Sequence, residues 1–298
     1  MSETSPQTSR GAAQPAGADA RFPRWLLVLG VPIVAVLLVA FFVFLQFPFD
    51  RFSEILAGQT GAALGADVTI GGLDPTLTVG GPGFVARDVQ IRWPGGERAT
   101  VAAASLRPAW STSWLGGSPS FLLDAESDIG GVAGQVTVGA APGFDGRFTG
   151  VDLDRLPLER FAQGAALDGA LDLDADLEWR DGAPVGEADF VARDGSVATS
   201  QLPFALPYDE LRGRIEFADD GALTLEGVAL EGPMVSAQLE GGTQAAPSVW
   251  IAPLELDIHL QVSDRNLRPT LRSAGLRLAP DGSAELKVRG SLSAPIVR

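Results

Sequence analysis

The chain has 298 residues, a formal net charge of −15 and no cysteine. The missing cysteines exclude a disulfide framework and any thiolate metal site. The acidic balance repels phosphate backbones and anionic headgroups, which excludes nucleic acid as a partner.

Met1 to Ala20 is rich in Ser, Thr, Ala, Gly, Gln and Pro and shows no apolar periodicity. Such a segment cannot offset its ordering entropy by burial, so residues 1–24 are expected to be a disordered cytoplasmic tail. Leu26 to Leu45 then runs for twenty residues without a charge. At about 1.5 Å of rise per residue, a helix of that length matches a hydrocarbon core of roughly 30 Å. A lone segment in lipid satisfies its backbone only as a helix. Residues 25–47 therefore read as a transmembrane helix. Its anchor is Trp25, Leu26, Leu27, Val28, Leu29, Ile33, Val34, Val36, Leu37, Leu38, Val39, Phe41, Phe42, Val43, Phe44 and Leu45. Trp25 stands at one interface, Phe47 and Phe49 at the other.

Arg21 and Arg24 precede the span, whereas Asp50 and Arg51 balance each other after it. The positive-inside rule keeps the N-terminus in the cytoplasm and exports residues 48–298. A cleavable signal peptide would carry only about 7 to 15 apolar residues and end in a small-x-small site. Here the apolar run continues into Gln46-Phe47-Pro48-Phe49. Three arginines and two acids fall in residues 1–24, which leaves a net charge of −16 beyond the anchor.

Asp50 is placed to cap a helix carrying Phe52, Ile55, Leu56, Ala63 and Leu64 on one side, with Gly65 as its stop. From Asp67 the period becomes two. Between Phe84 and Trp93 the residues Val85, Val89, Ile91 and Trp93 are apolar, with Arg87 an exception, while Asp88, Gln90 and Arg92 are polar. Pro94-Gly95-Gly96 then turns the chain. Val132 to Val138, Leu167 to Trp179, Leu223 to Ala229 and Val235 to Leu239 repeat the alternation. It is clearest at Leu254 to Val262, where Glu255, Asp257, His259 and Gln261 share the polar face. Asp181-Gly182, Asp219-Asp220-Gly221, Gly232-Pro233 and Asp281-Gly282 mark turns between runs.

One apolar and one wet face per strand specifies an antiparallel sheet of about a dozen strands. Short helices are expected only at Trp110 to Leu115, Arg155 to Phe161, and Asp264 to Ala274 with Gly275 as a stop. The fold class is mainly β: a long meander curled into an open groove, half-barrel or sandwich. Gly83-Phe84-Val85-Ala86-Arg87-Asp88 also echoes Asp189-Phe190-Val191-Ala192-Arg193-Asp194.

Little here points to catalysis. The single histidine, His259, falls on the polar side of its strand, and no Gly-x-Ser-x-Gly elbow accompanies it. Asp168, Asp172, Asp174, Asp176 and Glu178 form a carboxylate row, but alternate strand positions stand about 7 Å apart, too far for one calcium ion. Gly80-Gly81-Pro82-Gly83 reads as a turn. No catalytic, cofactor or metal residues are expected. An open sheet would offer its apolar face, with Trp93, Trp110, Trp114, Trp179 and Trp250 among its aromatics, as a groove for an acyl chain or a partner's strand.

The order of tail, span, Phe47-Pro48-Phe49-Asp50 and a capping helix ending in Leu64-Gly65-Ala66-Asp67-Val68-Thr69-Ile70 resembles the N component of the bacterial type II secretion system. Gly81-Pro82-Gly83-Phe84, Ala86-Arg87-Asp88-Val89, Arg107-Pro108-Ala109-Trp110 and Leu202-Pro203-Phe204-Ala205-Leu206-Pro207 fit that resemblance. So do Leu230 to Ala237 and the terminal Gly290-Ser291-Leu292. The resemblance implies a non-enzymatic accessory subunit in the bacterial inner membrane, with a periplasmic β domain touching other secretion-system subunits. The same plan is similar to the N-terminal part of AsmA-like proteins, which implies periplasmic handling of phospholipid or envelope assembly.

Overall fold

In a computed structural model of the chain, the described residues are 53–54, 57–58, 61, 65–78, 81–156, 165–181, 183–199, 204–246, 252–273, 275–291 and 294–297. The expected tail, the anchor and the flanking Arg21 and Arg24 lie outside them. Among the described residues, no helix is long and apolar enough to cross a membrane. The chain divides into two units, Met1–Phe47 and Pro48–Arg298, and every described residue belongs to the second.

That unit is one antiparallel sheet. In order its strands are β1 (Asp67–Thr78), β2 (Gly81–Arg92), β3 (Arg98–Ala109), β4 (Ser120–Ser127), β5 (Gly130–Thr137), β6 (Gly143–Asp152), β7 (Ala165–Leu167) and β8 (Ala170–Arg180). Next come β9 (Ala183–Thr199), β10 (Leu206–Phe217), β11 (Leu223–Glu231), β12 (Val235–Thr243), β13 (Leu254–Val262), β14 (Ser283–Ser291) and β15 (Ala294–Val297). Each strand pairs with the next, except that β6 pairs with β8 while β7 pairs with β9. β1 and β15 are the two edges, so the sheet is open.

The turns are where Gly, Pro and Asp announce them. Trp93 N–H donates to Glu97 O and Gly96 N–H to Trp93 O across Pro94-Gly95-Gly96. Asp181, between β8 and β9, holds a left-handed φ of 52°, as a tight hairpin with right-handed strand twist demands. Helices are few. Ser53, Glu54, Ala57, Gly58 and Gly61 are helical and Gly65 takes a φ of 59°, a left-handed helix stop. Trp110 to Leu115 yields a 3-10 turn, Thr112–Gly116. A second 3-10 turn, Leu153–Arg155, ends at the first residue of the stretch Arg155 to Phe161, where a helix was expected. Residues 157–161 of that stretch lie outside the described residues. Asp264 to Ala274 contains α1 (Leu267–Ser273), ended by Gly275 at a φ of 97°.

Two expectations need correction. The run Leu167 to Trp179 is two strands, broken at Asp168-Gly169. Gly169 there adopts a φ of 120°, Ser196 N–H donates to Asp168 Oδ1, and Tyr208 hydroxyl donates to Asp168 O at 2.5 Å. The second correction concerns Arg87, which is no exception. Asp88 sits at a φ of 53°, and a left-handed residue inverts the alternation of faces. Before it Phe84 and Ala86 lie on the apolar side; after it Val89, Ile91 and the buried Trp93 do. Val85, opposite Asp74, is the apolar residue on the charged face.

The same device recurs at Asp194, with a φ of 51°: Phe190 and Ala192 precede the inversion and Val197 follows it. Arg87 Nε reaches Asp74 Oδ2 at 2.9 Å, and Arg193 Nη1 reaches Asp172 Oδ2 at 2.6 Å. In both cases the acid lies two residues beyond the arginine's cross-strand partner, Gly72 or Ala170. The sequence echo is thus one local geometry used twice, and it extends to Gly71-Gly72-Leu73-Asp74 and Gly169-Ala170-Leu171-Asp172. A β-branched residue is strained in this conformation. Asp88→Val and Asp194→Val should each cost about 1–2 kcal/mol of stability while the glycine variants stay near wild type, as read from urea-unfolding midpoints.

Candidate functional site

Residues opposite each other on paired strands share a face, so the register traces rows across the sheet. One row runs Leu73, Ala86, Ala104, Ala125, Val132, Phe148, Leu173, Phe190 and Gly213. Beyond a bulge in β11 it continues as Val228, Leu239, Ile258 and Leu286. The neighbouring row runs Pro75, Phe84, Leu106, Leu123, Gly134, Gly146, Ala175 and Ala188. It reaches the far edge through Ile215, Leu225, Gly241, Leu256, Val288 and Val297. Neither row contains a charge. In the first row only Ala125 and Val228 are buried; Phe148, Leu173, Phe190, Leu239, Ile258 and Leu286 are half-buried. A second packed layer would bury side chains of that size.

The opposite face is ionic. Arg147 pairs with Asp174, Arg214 with Asp189 and Glu187, Lys287 with Asp257 at 3.1 Å, and Arg289 with Glu255 at 3.6 Å. The carboxylate row read from the sequence is part of this lattice: Asp172 and Asp174 have arginine partners on β9 and β6. The backbone N–H of Gly150, 2.9 Å from Asp172 Oδ1, and then the Arg193 guanidinium hold the Asp172 carboxyl below its ordinary value. Asp128 is lowered likewise, first by Thr100 N–H at 2.7 Å and then by Arg155.

His259 stands on the same face, between Gln238 and Glu285 in register, its Nδ1 3.9 Å from Glu285 Oε1. It borders a depression of about 860 Å³ beside β11–β14 and Arg277. Ser283 at its margin donates its hydroxyl to Asp281 Oδ1 at 2.8 Å, so that hydroxyl is engaged away from the histidine.

The two ends of the apolar face differ. At one end, the turn Leu153–Arg155 drops Leu153 and Leu156 against Leu171, Leu211, Leu230 and the 2% exposed Tyr208. At the same end α1 lays Leu267 and Leu271 on Val235, Val262 and Leu260, with Leu276 and Leu278 alongside. Arg268 pins α1 there by donating to the carbonyls of Val262 and Asp281 at 3.0 and 2.7 Å. The other end, formed by the β1–β2, β3–β4, β5–β6 and β8–β9 hairpins, is open. Leu77 is 70% exposed, Trp110 63%, Val138 42% and Trp179 40%, all on the apolar side. Trp110 stacks on Trp114 at 4.9 Å and Trp114 on Phe121 at 5.5 Å.

Sequence reasoning anticipated an apolar face but missed its rim. The signal was available in two charge-free stretches, Pro108 to Leu123 and Val136 to Phe144. Comparison with protein-family models, curated proteins and solved structures finds no match.

The lowered carboxylates fix a pH dependence. A group whose folded pKa lies below its unfolded value stabilises the fold above the unfolded value, and that contribution is lost as pH falls through the folded one. Stability should therefore hold down to about pH 5 and decline below about pH 4. Unfolding midpoints measured against pH should decline less steeply in Asp128→Asn and Asp172→Asn.

Proposed function

We propose that residues 48–298 form a periplasmic trough that carries the acyl chains of phospholipids, held at the bacterial inner membrane by the anchor at residues 25–47. The observation that carries this reading is the pair of charge-free rows that cross the sheet, one from β1 to β14 and its neighbour from β1 to β15. Fourteen strand positions at about 4.8 Å spacing give a path of about 60 Å. One leaflet of hydrocarbon is about 15 Å thick, so the path accommodates several chains end to end. Each methylene withdrawn from water contributes about 0.8 kcal/mol, which requires neither a catalytic group nor a cofactor. The ionic back of the sheet keeps such a trough soluble. The reading agrees with the AsmA-like plan.

Native mass spectrometry of the full chain, extracted in mild detergent, should show phospholipid adducts. Ile258→Glu and Leu239→Glu should remove them while circular dichroism retains the sheet, and Asp257→Asn, on the ionic face, should leave them in place. A wild-type chain free of lipid under these conditions would contradict the reading.

A second reading, an accessory subunit of type II secretion, draws on the resemblance and on the edge strand β1, whose outer side has no strand partner among the described residues. Such an edge accepts a strand from another subunit. Deletion of the gene should then leave secreted enzymes in the periplasm with the outer membrane intact; normal export would contradict it.

A further inference from the structure

Part of the open end of the sheet is built without charge. Three neighbouring hairpins build its first half, and their sequences carry no charge from Pro75 to Ala86, Pro108 to Leu123 and Val136 to Phe144. In a chain of which 20% is charged, three such gaps brought side by side mark a surface made for an uncharged medium. The hairpins are joined. Val138 N–H donates to Pro119 O at 2.9 Å and Ala140 N–H to Gly117 O at 3.3 Å, while the Trp110 ring lies against Gly81. Among the described residues, Leu77, Trp110 and Val138 are exposed large apolar side chains on this tip, with Trp114 and Phe121 stacked behind Trp110. Trp114 keeps its indole N–H bonded to Ala109 O at 2.9 Å. The β8–β9 and β10–β11 hairpins continue the same end with Asp181, Asp219 and Asp220, so the charge-free surface has a defined boundary.

We infer that this three-hairpin tip docks into the headgroup region of a lipid bilayer whose surface is electrically neutral, with Trp110, Leu77 and Val138 as the inserted residues. Tryptophan favours that depth because its ring is apolar on its faces and polar at its N–H. A neutral, zwitterionic bilayer is specified by charge. A domain with a net charge of −16 beyond residue 24 is repelled by anionic headgroups, and no basic cluster on the tip compensates. Apolar insertion without counter-charges is also insensitive to salt. The inference goes beyond acyl-chain carriage and stands without it: a trough that holds lipid need not touch a bilayer at this end.

The test uses the full chain reconstituted in phosphatidylcholine proteoliposomes, mixed with acceptor vesicles of brominated phosphatidylcholine. Bromine quenches tryptophan only on contact. Tryptophan emission should fall on mixing, equally at 50 mM and 500 mM salt in design, and less when half the acceptor lipid is anionic. Leu77→Asp with Val138→Asp should abolish the quenching; both side chains are exposed, so the fold is retained. Trp110→Gln should remove most of it, whereas Trp93→Phe, at the closed end, should leave it unchanged. No quenching in the wild type, or quenching that survives the aspartate variants, would overturn the inference. So would aspartate-sensitive self-association in the absence of acceptor vesicles, which would make the tip an interface between copies of the chain. Bound phospholipid by native mass spectrometry together with absent quenching would overturn the docking and leave the trough standing.

Discussion

A strand with one apolar face is stable in water only when that face is laid against something apolar. Here the constraint applies to a whole sheet at once, because the register keeps the apolar side continuous from Pro75 at one edge to Val297 at the other. Among the described residues two small clusters cover part of that face, one around Leu153 and Tyr208 and one around Leu267 and Leu271. Both sit at the same end. Large side chains further along the face, Phe148, Leu173, Phe190, Leu239, Ile258 and Leu286, are half-buried. Proteins seldom leave so broad an apolar surface without a use for it. The trough reading follows from that imbalance: in it, acyl chains would supply the second layer.

The left-handed aspartates serve the same constraint. A strand of constant alternation would turn charged side chains into the apolar face wherever its sequence changes phase. Asp88 and Asp194 absorb the change, since one left-handed residue exchanges the faces. Each is preceded by an arginine fixed to an acid on the preceding strand, which anchors the outer face where the inner one shifts. Exposed ion pairs contribute little individually, of the order of 0–1 kcal/mol. The register sets some like charges directly opposite, Asp174 against Asp189 among them, and the arginines paired with those two acids, Arg147 and Arg214, offset the repulsion.

Much of this was legible in the residues. The alternation at Leu254 to Val262 matches β13 from first residue to last, and the Gly, Pro and Asp signals fall at real turns between strands. The antiparallel sheet follows from one wet face per strand, whereas the alternation by itself does not choose among an open groove, a half-barrel and a sandwich. What escaped was whatever depends on a single φ angle or on distant register. The inversion at Asp88 made Arg87 look anomalous, and the break at Asp168-Gly169 depends on Tyr208, forty residues away. The continuous row could not be read either, because across β2, β3 and β4 its members are Ala86, Ala104 and Ala125, whose hydrophobic signal is weak. The apolar run Leu26 to Leu45, the clearest feature of the sequence, belongs to residues outside those described.

The account rests on which face of the sheet meets lipid, and adjacent residues on one strand separate the faces. A photoreactive benzoylphenylalanine placed at Ile258 in living cells would sample the apolar face; the same group at Asp257 would sample the ionic one. Irradiation followed by mass spectrometry should give a phospholipid adduct at position 258 and none at 257. Lipid at neither position, or at both equally, would contradict the claim that the apolar face is an acyl-chain trough.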